Sequence, residues 1–374
     1  MRILIVISGL GWGGAERQVV LLSRELVRRG HAVLVYTLND HVPRRDELAG
    51  SGVELVVDQK RWRVDPAVLL RLRRTVRRWG ADLVHGFLYD GDFYARVACA
   101  GLRLPVLNSE RGADRFGVLQ RPGHRATALL FDGVVANSHS GAAFARRAHG
   151  IAEDRVHVVW NGIDLAEVDA RLARSTRPAR QMHPAGCRIV CVAGAIKPQK
   201  DHLLALDVCR ELLDRDPRWR FVFVGERLRG GDAWEQRVLE HRRALGLERT
   251  ATFTGVRTDV LEIMASSDVL LVTSHFEGFP NVVLEAMSCG TPVASTAYSD
   301  VRRILPNAWQ VASRRSALEL ADIVERCAAE GEAVRRAQRR WVESHASLQR
   351  AAEALLAVYE RYVRTPAALP DPAH

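Results

Sequence analysis

The sequence predicts an α/β protein made of two doubly wound domains, each built on a parallel sheet. Apolar segments of strand length alternate with amphipathic helical segments along most of the 374 residues. Glycine-containing turns follow the first strand of each half, at residues 8–14 and 194–201. A polar, proline-punctuated stretch, residues 166–186, separates the halves and predicts a linker. We therefore expect one domain over residues 1–165 and a second over residues 187–344.

Composition narrows the class of protein. With 47% hydrophobic and 26% charged residues, the chain can bury two cores of ordinary size. The apolar start, residues 1–8, is short and lacks a cleavage-type sequence, so we predict a strand rather than a signal peptide. No apolar run reaches the length of a membrane span. The six cysteines show no zinc-ligand spacing and have apolar neighbours, so we expect buried thiols in a reducing, cytoplasmic compartment.

The net charge of +10 comes from arginine rather than lysine, which favours contact with phosphates or with an anionic membrane surface. The most basic segment is a helix predicted to begin at Asp65 and Pro66. Opposite its short apolar stripe stand five arginines: Arg71, Arg73, Arg74, Arg77 and Arg78. Such a face is typical of helices that dock on anionic lipid headgroups, and we expect peripheral contact with the inner membrane face. The solvated face of an ordinary packed helix is the alternative reading, and we expect no nucleic-acid partner.

The first half predicts alternating strands and helices, with strands at residues 2–7, 31–37, 81–85 and 105–111. Its first loop contains Gly9, Gly11 and Gly14 in a G-x-G-x-x-G pattern, which by itself indicates a dinucleotide-binding oxidoreductase. Against that reading, Glu16 would place a carboxylate in the first helical turn, where it would repel a pyrophosphate.

An acidic pair follows the third of these strands. Asp90-Gly-Asp92 has the D-x-D form with which some enzymes hold a divalent metal under a diphosphate. The form recurs at Asp214 and Asp216, which shows how little it specifies in a chain with 44 acidic residues. We therefore predict a loop at residues 87–94 and no metal site.

The second half begins with a strand at residues 187–193 and a turn that carries Lys197 and Lys200 before a helix near His202. Further strands are predicted at residues 219–225, 247–255 and 268–273, and helices at residues 315–342 and 346–363. After the strand that ends at Thr273, Gly278, Pro280 and Asn281 provide turn and helix-start chemistry. Glu277 should therefore lie in a strand-to-helix loop and Glu285 in the helix that follows.

The stretch from Glu277 to Val293, Glu-Gly-Phe-Pro-Asn-Val-Val-Leu-Glu-Ala-Met-Ser-Cys-Gly-Thr-Pro-Val, closely resembles the signature of family 4 of the retaining, nucleotide-sugar-dependent glycosyltransferases. Their architecture, GT-B, has two Rossmann-like domains facing a central cleft. The resemblance implies an acceptor-side domain over residues 1–165 and a donor-binding domain over residues 187–344. It also implies a C-terminal helix, residues 345–364, that returns to the first domain, before a tail, residues 365–374, that we expect to be frayed.

The resemblance also implies the donor site. Glu277 would lie against the donor sugar, and Glu285 would accept hydrogen bonds from the ribose hydroxyls. The Gly-Gly-Ala-Glu loop and the turn after residue 254 would approach the sugar diphosphate and the nucleobase. The donor-binding set expected from the family is Gly13, Gly14, Lys197, Lys200, Gly255, Val256, Arg257, Glu277, Gly278, Phe279, Pro280, Asn281 and Glu285.

The chain departs from the family pattern at two places. Family members usually carry an arginine directly after the glycine of the lysine-bearing turn, but this chain has Ala195, so Lys197 is the nearest cation that could substitute. Many members also carry a histidine near the reacting centre where this chain has Ser109 and Glu110. We expect His85, one strand earlier, to serve that side of the cleft. The catalytic residues expected are thus Glu277, Lys200 and His85.

The expected reaction is transfer of a hexosyl group, with retention, from a nucleoside-diphosphate sugar to a glycan, lipid-linked or small-molecule acceptor. The resemblance implies envelope polysaccharide or glycoconjugate biosynthesis, no metal and no cofactor beyond the donor, with UDP-sugars favoured over GDP-sugars. A covalent step on Glu277 and same-face attack guided by the leaving phosphate both remain open. A glycoside hydrolase would need paired carboxylates but no lysine-bearing glycine turn. A non-catalytic nucleotide-sugar or membrane-surface binding protein of the same fold is the alternative.

Overall fold

The computed structural model describes residues 1–111, 130–226 and 233–364. Within these residues, twelve strands form two parallel sheets of seven and five strands. The chain divides into two compact units, the first over Met1–Gly162 together with the segment that starts at Leu348, and the second over Ile163–Ser347. The fold class is therefore the predicted one, two doubly wound α/β units. The tail predicted at residues 365–374 lies outside the described residues.

The first unit is built on the seven-stranded sheet, in the order β3-β2-β1-β4-β5-β6-β7. Because the order reverses direction after β1, the ends of β1 and β4 form the switch point at which such sheets leave room for a ligand. The strands are β1 (Arg2–Ile7), β2 (Ala32–Thr37), β3 (Glu54–Val57), β4 (Leu83–Phe87), β5 (Val106–Glu110), β6 (Gly133–Ala136) and β7 (Val156–Val158).

In the described parts of residues 1–162, the helices that flank this sheet include α1 (Gly14–Arg28), α2 (Pro66–Trp79), α3 (Leu88–Cys99) and α4 (His139–His149). The side chains on the two faces of β1 pack in separate hydrophobic cores, because successive side chains of a strand point to opposite sides. Ile3, Ile5 and Ile7 pack in the core that contains α1, whereas Leu4 and Val6 pack in the core that contains α2 and α3. Both faces are thus covered, as a parallel sheet requires.

The basic helix α2 begins as the sequence predicts. Asp65 is its N-cap and accepts a hydrogen bond from the backbone N–H of Ala67, and Pro66 is the first helical residue. The helix ends at Gly80, whose left-handed φ of 67° suits glycine. Val68, Leu72 and Val76 form its buried stripe.

The predicted loop at residues 87–94 is wrong, because Asp90 and Asp92 lie in α3. Gly91 is a close-packing residue of this helix, since a Cβ on it would overlap the backbone carbonyl of Val6 in β1. Asp92 is buried and accepts a hydrogen bond from the Ser109 N–H at 3.1 Å. Asp90 forms an ion pair with Lys60, so the two acids serve separate packing contacts.

The second unit is built on the five-stranded sheet, in the order β10-β9-β8-β11-β12. Its direction reverses after β8, so the switch point lies between the ends of β8 and β11. Apolar side chains from these strands and their helices form one core, centred on the fully buried Trp219 and Phe221. The strands are β8 (Arg188–Ala193), β9 (Trp219–Val224), β10 (Ala251–Gly255), β11 (Val269–Val272) and β12 (Val293–Ser295).

The helices of the second unit begin earlier than predicted, because α5 (Leu165–Ala173) and α6 (Pro178–Gln181) occupy much of residues 166–186, which we expected to be a linker. This segment carries α5 and α6, and it packs on the unit through the buried Val168 and Ala179 and an ion pair between Arg171 and Glu262. Pro178 misled the sequence analysis because it begins a helix rather than interrupting one. The helices are α5 (Leu165–Ala173), α6 (Pro178–Gln181), α7 (His202–Arg215), α8 (Ala233–Ala244), α9 (Val260–Ala265), α10 (Asn281–Ser288), α11 (Val301–Ile304), α12 (Ala317–Ala329) and α13 (Gly331–His345).

The final helix, α14 (Leu348–Arg364), belongs to the first unit, where it packs on α1. Its Tyr359 is fully buried in the core that also holds Leu355 and Ala352. Among the residues that the structure describes, no helix combines the length and the apolar character needed to cross a membrane.

Candidate active site

The turn that carries Lys200 joins β8 to α7. It contains a 3₁₀ turn over Pro198–Lys200, and Asp201 caps α7 by accepting a hydrogen bond from the Leu204 N–H at 3.3 Å. The neighbouring strand comes very close to its start, since a Cβ on Gly225 would overlap the carbonyl of Gly194. The stem of Lys200 lies over Gly194, with Cε 3.0 Å from where a Cβ would stand on that glycine. Glycine at both positions is therefore required by the path of the backbone.

The loop that carries Glu277 joins β11 to α10 and is bonded to the lysine turn along its length. Thr273 donates its hydroxyl hydrogen bond to the Lys200 carbonyl at 2.8 Å. The His275 N–H donates to the Gln199 carbonyl at 2.9 Å, and the Gln199 side-chain amide donates to the Phe276 carbonyl at 3.0 Å. Because β8 and β11 flank the switch point, these bonds hold two loops at the position where ligands bind in such sheets.

Arg315 connects the two loops through hydrogen bonds. Its guanidinium donates to the Asp201 carboxylate at 2.5 Å, to the Thr273 carbonyl at 2.7 Å and to the Ser274 carbonyl at 3.0 Å. The His275 ring also reaches Asp201, with Nε2 3.2 Å from the carboxylate. The sequence analysis missed Arg315 because nothing in its local pattern distinguishes it from the many other arginines of the chain.

The central contact of the site is between Lys200 and Glu277, two residues that the sequence analysis assigned to separate tasks. The Lys200 ammonium donates to Glu277 Oε1, which also accepts the Ser274 hydroxyl at 2.8 Å. Both side chains are only partly exposed, 20% for Lys200 and 14% for Glu277. Burial, reinforced by the nearby Glu277 charge, raises the pKa of Tyr298 well above its ordinary value. The site thus holds a cation and a carboxylate side by side with limited access to water.

The remaining expected donor residues of the second unit include Lys197 on the turn after β8 and Gly255, Val256 and Arg257 at the end of β10. Gly255 ends β10 with a left-handed φ of 73°, and its carbonyl accepts the Gly225 N–H at 3.0 Å. Val256 is highly exposed, and Arg257 is held by Asp259 through bonds of 2.8 and 2.7 Å. Lys197 is exposed, and the structure gives it no ion pair within residues 1–111, 130–226 and 233–364.

Helix α10 starts at Asn281, so Pro280 precedes the helix rather than lying in its first turn as predicted. Phe279 is buried beneath this start, and the Gly278 carbonyl accepts the Ser299 hydroxyl at 3.0 Å. Glu285 lies one turn further along α10 and is partly exposed. The N-terminus of α10 therefore emerges beside the Glu277 loop, where its N–H groups favour negative charge.

The glycine loop of the first unit leads into α1, with Gly13 as the N-cap and Gly14 as the first helical residue. A Cβ on Gly13 would overlap the Glu16 carboxylate, so that carboxylate lies against the start of the helix. A pyrophosphate at this helix end would meet the Glu16 charge at close range. The geometry supports the argument from sequence against a dinucleotide site here.

His85 does not have the catalytic position that we expected. It is fully buried in β4, where Nδ1 lies 2.7 Å from the Tyr359 hydroxyl and Nε2 lies 2.9 Å from the Ser109 hydroxyl. Burial, with the Arg111 charge as a second cause, lowers the pKa of His85 well below its ordinary value, so the ring is neutral. A side chain without exposed surface cannot touch a substrate, and His85 instead ties α14 to β4 and β5.

The described residues contain no group of three or more His, Cys, Asp or Glu side chains arranged to hold a metal ion. The loops at the second switch point therefore present the Lys200 ammonium, the carboxylates of Glu277 and Asp201, the Arg315 guanidinium, hydroxyl groups and a helix N-terminus. An ammonium and helix N–H groups bind phosphate oxygens, and carboxylates accept hydrogen bonds from sugar hydroxyls.

Comparisons with known proteins agree with this chemistry. Residues 12–167 match the family model of Glycosyltransferase Family 4, and residues 186–330 match that of Glycosyl transferases group 1. A D-inositol 3-phosphate glycosyltransferase of Kineococcus radiotolerans is 29% identical over 410 residues, which cover 95% of this chain and 92% of that protein.

Solved structures share the whole architecture. A glycosyltransferase from Rickettsia africae superposes with a TM-score of 0.83 at 17% identity, over 97% of this chain and 99% of that chain. The HepE protein of Anabaena, solved in complex with UDP, superposes with a TM-score of 0.83 at 19% identity, over 96% of this chain and 100% of that chain.

Two Rossmann-like units are the architecture of the matched solved structures, and each unit matches a glycosyltransferase family model. The matched models together span most of the chain, one in each unit. The chain belongs to family 4 of the glycosyltransferases and has the GT-B fold.

Proposed function

We propose that the second unit binds a nucleotide sugar around the Lys200–Glu277 contact. Lys200 takes the diphosphate, Glu277 accepts hydrogen bonds from the donor sugar, and Glu285 accepts them from the ribose hydroxyls. The observation that carries this assignment is the placement of a partly buried lysine and glutamate on neighbouring loops at the sheet switch point. A ligand with both phosphate oxygens and hydroxyls satisfies both charges in one site.

The proposed reaction breaks the bond between the anomeric carbon and the diphosphate oxygen and forms a bond from that carbon to an acceptor hydroxyl. Negative charge develops on the departing oxygen, where the Lys200 ammonium stabilises it. The hydroxyl proton passes to the departing diphosphate, which gives same-face attack and retention. Glu277 Oε1 already accepts from Lys200 and Ser274, and these donors reduce its strength as a nucleophile. This argument favours same-face attack over a covalent step on Glu277.

Lys197 supplies the second cation of the donor site in this proposal. It stands on the same turn as Lys200, two residues after Ala195, and its exposed ammonium has room to approach a diphosphate. A lysine provides a point charge rather than the two-pronged contact of an arginine, so phosphate binding should be weaker than with the family's arginine. UDP-sugars are the proposed donors, and the HepE structure with UDP supports testing them first.

The proposed acceptor is an intermediate of envelope polysaccharide or glycoconjugate biosynthesis. It is proposed to be located at an anionic membrane surface that α2 contacts. Two of the five arginines are already engaged: Arg71 binds Asp58 at 2.7 Å, and Arg73 donates to the carbonyls of Ala98 and Ala100 at 2.8 Å. Arg74, Arg77 and Arg78 remain exposed. Leu70 is 55% exposed and lies at positions i−4 and i−7 relative to Arg74 and Arg77, which places an apolar side chain within the cationic stripe.

Transfer assays test the proposal directly. Radiolabelled UDP-sugars are offered with a panel of acceptors that includes inositol phosphates, because the Kineococcus relative is described as an inositol 3-phosphate enzyme. We expect Glu285→Ala to lower turnover by about a hundredfold or more through loss of the ribose contact, with folding intact. Glu332→Ala, at an exposed position of α13, is the matched control and should transfer at the native rate. Native turnover by the Glu285→Ala enzyme would remove the donor-site assignment.

A further inference from the structure

A single tryptophan stands out at the switch point of the first unit. Trp12 lies in the loop after β1 and is 71% exposed, although its indole is the largest apolar side chain available to a protein. The ends of β1 and β4 form the switch point of the seven-stranded sheet, so the loop lies where a doubly wound sheet leaves room for a ligand. An exposed indole at such a position offers a flat apolar face to a ligand.

The ring is held in place rather than left loose. The Arg44 guanidinium lies over it, 4.9 Å from the ring centroid. Arg44 is itself fixed, because its Nε donates to the Gly11 carbonyl at 3.0 Å and its Nη1 donates to Glu47 at 2.6 Å. With one face of the indole covered by Arg44, the exposed area must belong mainly to the opposite face and the ring edges.

The surroundings of Trp12 supply polar groups beside this flat apolar surface. Gly11 and Gly13 flank it, so no side chain from either neighbour covers the ring. The Glu16 carboxylate fills the space beside Gly13, and the His41 ring lies 3.4 Å from where a Cβ would stand on Gly11. A flat apolar face with a carboxylate and an imidazole nearby matches the chemistry of a pyranose, which presents C–H groups on its faces and hydroxyls at its rim.

We propose that Trp12 is the platform on which a sugar ring of the acceptor stacks, so the acceptor is a saccharide or carries one. When the sugar stacks on the indole, its C–H face is removed from water. The electron-rich face of the indole also attracts the slightly positive C–H hydrogens. Trp12 is then a specificity-determining residue on the acceptor side. This inference rests on the proposed function for its reaction, but its first test does not require turnover.

Fluorine NMR of the full chain labelled with 5-fluorotryptophan provides that test. The Trp12 resonance is assigned by its absence from the Trp12→Phe protein, and the Trp62 resonance from the Trp62→Phe protein. Trp62 is the matched control because it is 66% exposed and lies on a different loop, the one that follows β3. The probes are methyl β-D-glucopyranoside, methyl α-D-mannopyranoside and, as a polyol without a ring, glycerol.

We expect at least one pyranoside to shift the Trp12 resonance while the Trp62 resonance stays in place and glycerol has no effect. In transfer assays, Trp12→Ala should raise the acceptor KM by about tenfold and leave the donor KM unchanged, whereas Trp12→Phe should retain most of the acceptor affinity. A loop-ordering role would instead alter the donor KM and the melting temperature as well.

The two hypotheses fail separately. If UDP stabilises the protein but neither pyranoside moves the Trp12 resonance and Trp12→Ala has the native acceptor KM, the platform is refuted and the donor site stands. If the pyranosides shift Trp12 and no nucleotide raises the melting temperature, sugar binding at Trp12 stands and the proposed donor site falls.

Discussion

Replacing Lys200 by methionine tests the central contact, because methionine keeps most of the apolar stem that lies over Gly194 and removes only the ammonium. Removing one partner of a fully buried ion pair costs about 3–5 kcal/mol, and an exposed pair contributes about 0–1 kcal/mol. With side-chain exposures of 20% and 14%, the Lys200–Glu277 pair falls between these limits. We expect Lys200→Met to lower the free energy of unfolding by about 1–2 kcal/mol, measured by urea titration.

The effect on ligand binding should be larger than the effect on folding. A hydrogen bond from an ammonium to phosphate contributes about 1.5–3 kcal/mol, so the Kd for UDP should rise by about tenfold to a hundredfold in the variant. Calorimetric titration with UDP measures this directly. Turnover should fall by about a hundredfold or more, because the charge that Lys200 meets in the transition state exceeds that in the ground state.

Lys60→Met is the control for this experiment, because Lys60 is also a partly buried lysine in an ion pair, with Asp90 of the first unit. It should cost similar stability and leave the UDP affinity unchanged. Native UDP affinity in Lys200→Met would show that the ammonium does not touch the diphosphate. Equal losses of affinity in both variants would point to a general effect of charge.

Three further outcomes are expected. Gly225→Ala should destabilise the second unit by about 2 kcal/mol or more, seen as a lower melting temperature, because the new Cβ overlaps the Gly194 carbonyl; an unchanged melting temperature would contradict the close approach. Burial, with the Lys200 charge as a second cause, lowers the pKa of His202 to about 4, whereas an unfolded histidine binds its proton near pH 6.5. The contribution of His202 to the free energy of unfolding should therefore be complete above pH 6.5 and fall by roughly 3 kcal/mol towards pH 4. His202→Phe should reduce this decline. Reversing charge in Arg74→Glu/Arg77→Glu should abolish cosedimentation with vesicles containing anionic lipid and leave transfer to a water-soluble acceptor intact, whereas native cosedimentation would rule out α2 as the contact.

The sequence predicted the fold because its signals were local. Each strand of the parallel sheets appears as a short apolar run, and caps such as Asp65 with Pro66 mark helix starts by chemistry that depends only on neighbours. The sequence-based prediction failed around Gly91 and Pro178, two residue types that usually interrupt helices. Gly91 lies within a helix and packs against β1, and Pro178 begins a helix. Only the tertiary structure shows which carbonyl approaches Gly91.

The sequence pointed to single residues of the candidate site but not to their arrangement. The family signature identified Glu277 and the glycine turn identified Lys200, yet nothing in a linear pattern indicates that their side chains touch. Arg315 could not be found at all, because it acts on backbone carbonyls of distant loops. His85 was misjudged for a related reason. A histidine at the end of a strand faces a site or a core with the same local sequence, and here Tyr359 from the last helix closes over it.

The pairing of Lys200 with Glu277 bears on how an alanine at position 195 is tolerated. An unpaired ammonium in this water-poor position would be costly to desolvate, and Glu277 stabilises it. A diphosphate carries more negative charge than one shared ammonium can neutralise, and Glu277 adds a further negative charge close by. In the proposed donor site, the additional positive potential comes from Lys197 and from the N-terminus of α10, which stands beside the same loop. Lys197→Met should accordingly weaken UDP binding more in this chain than a surface lysine normally would, and a Kd within about twofold of native would show that the helix end alone suffices.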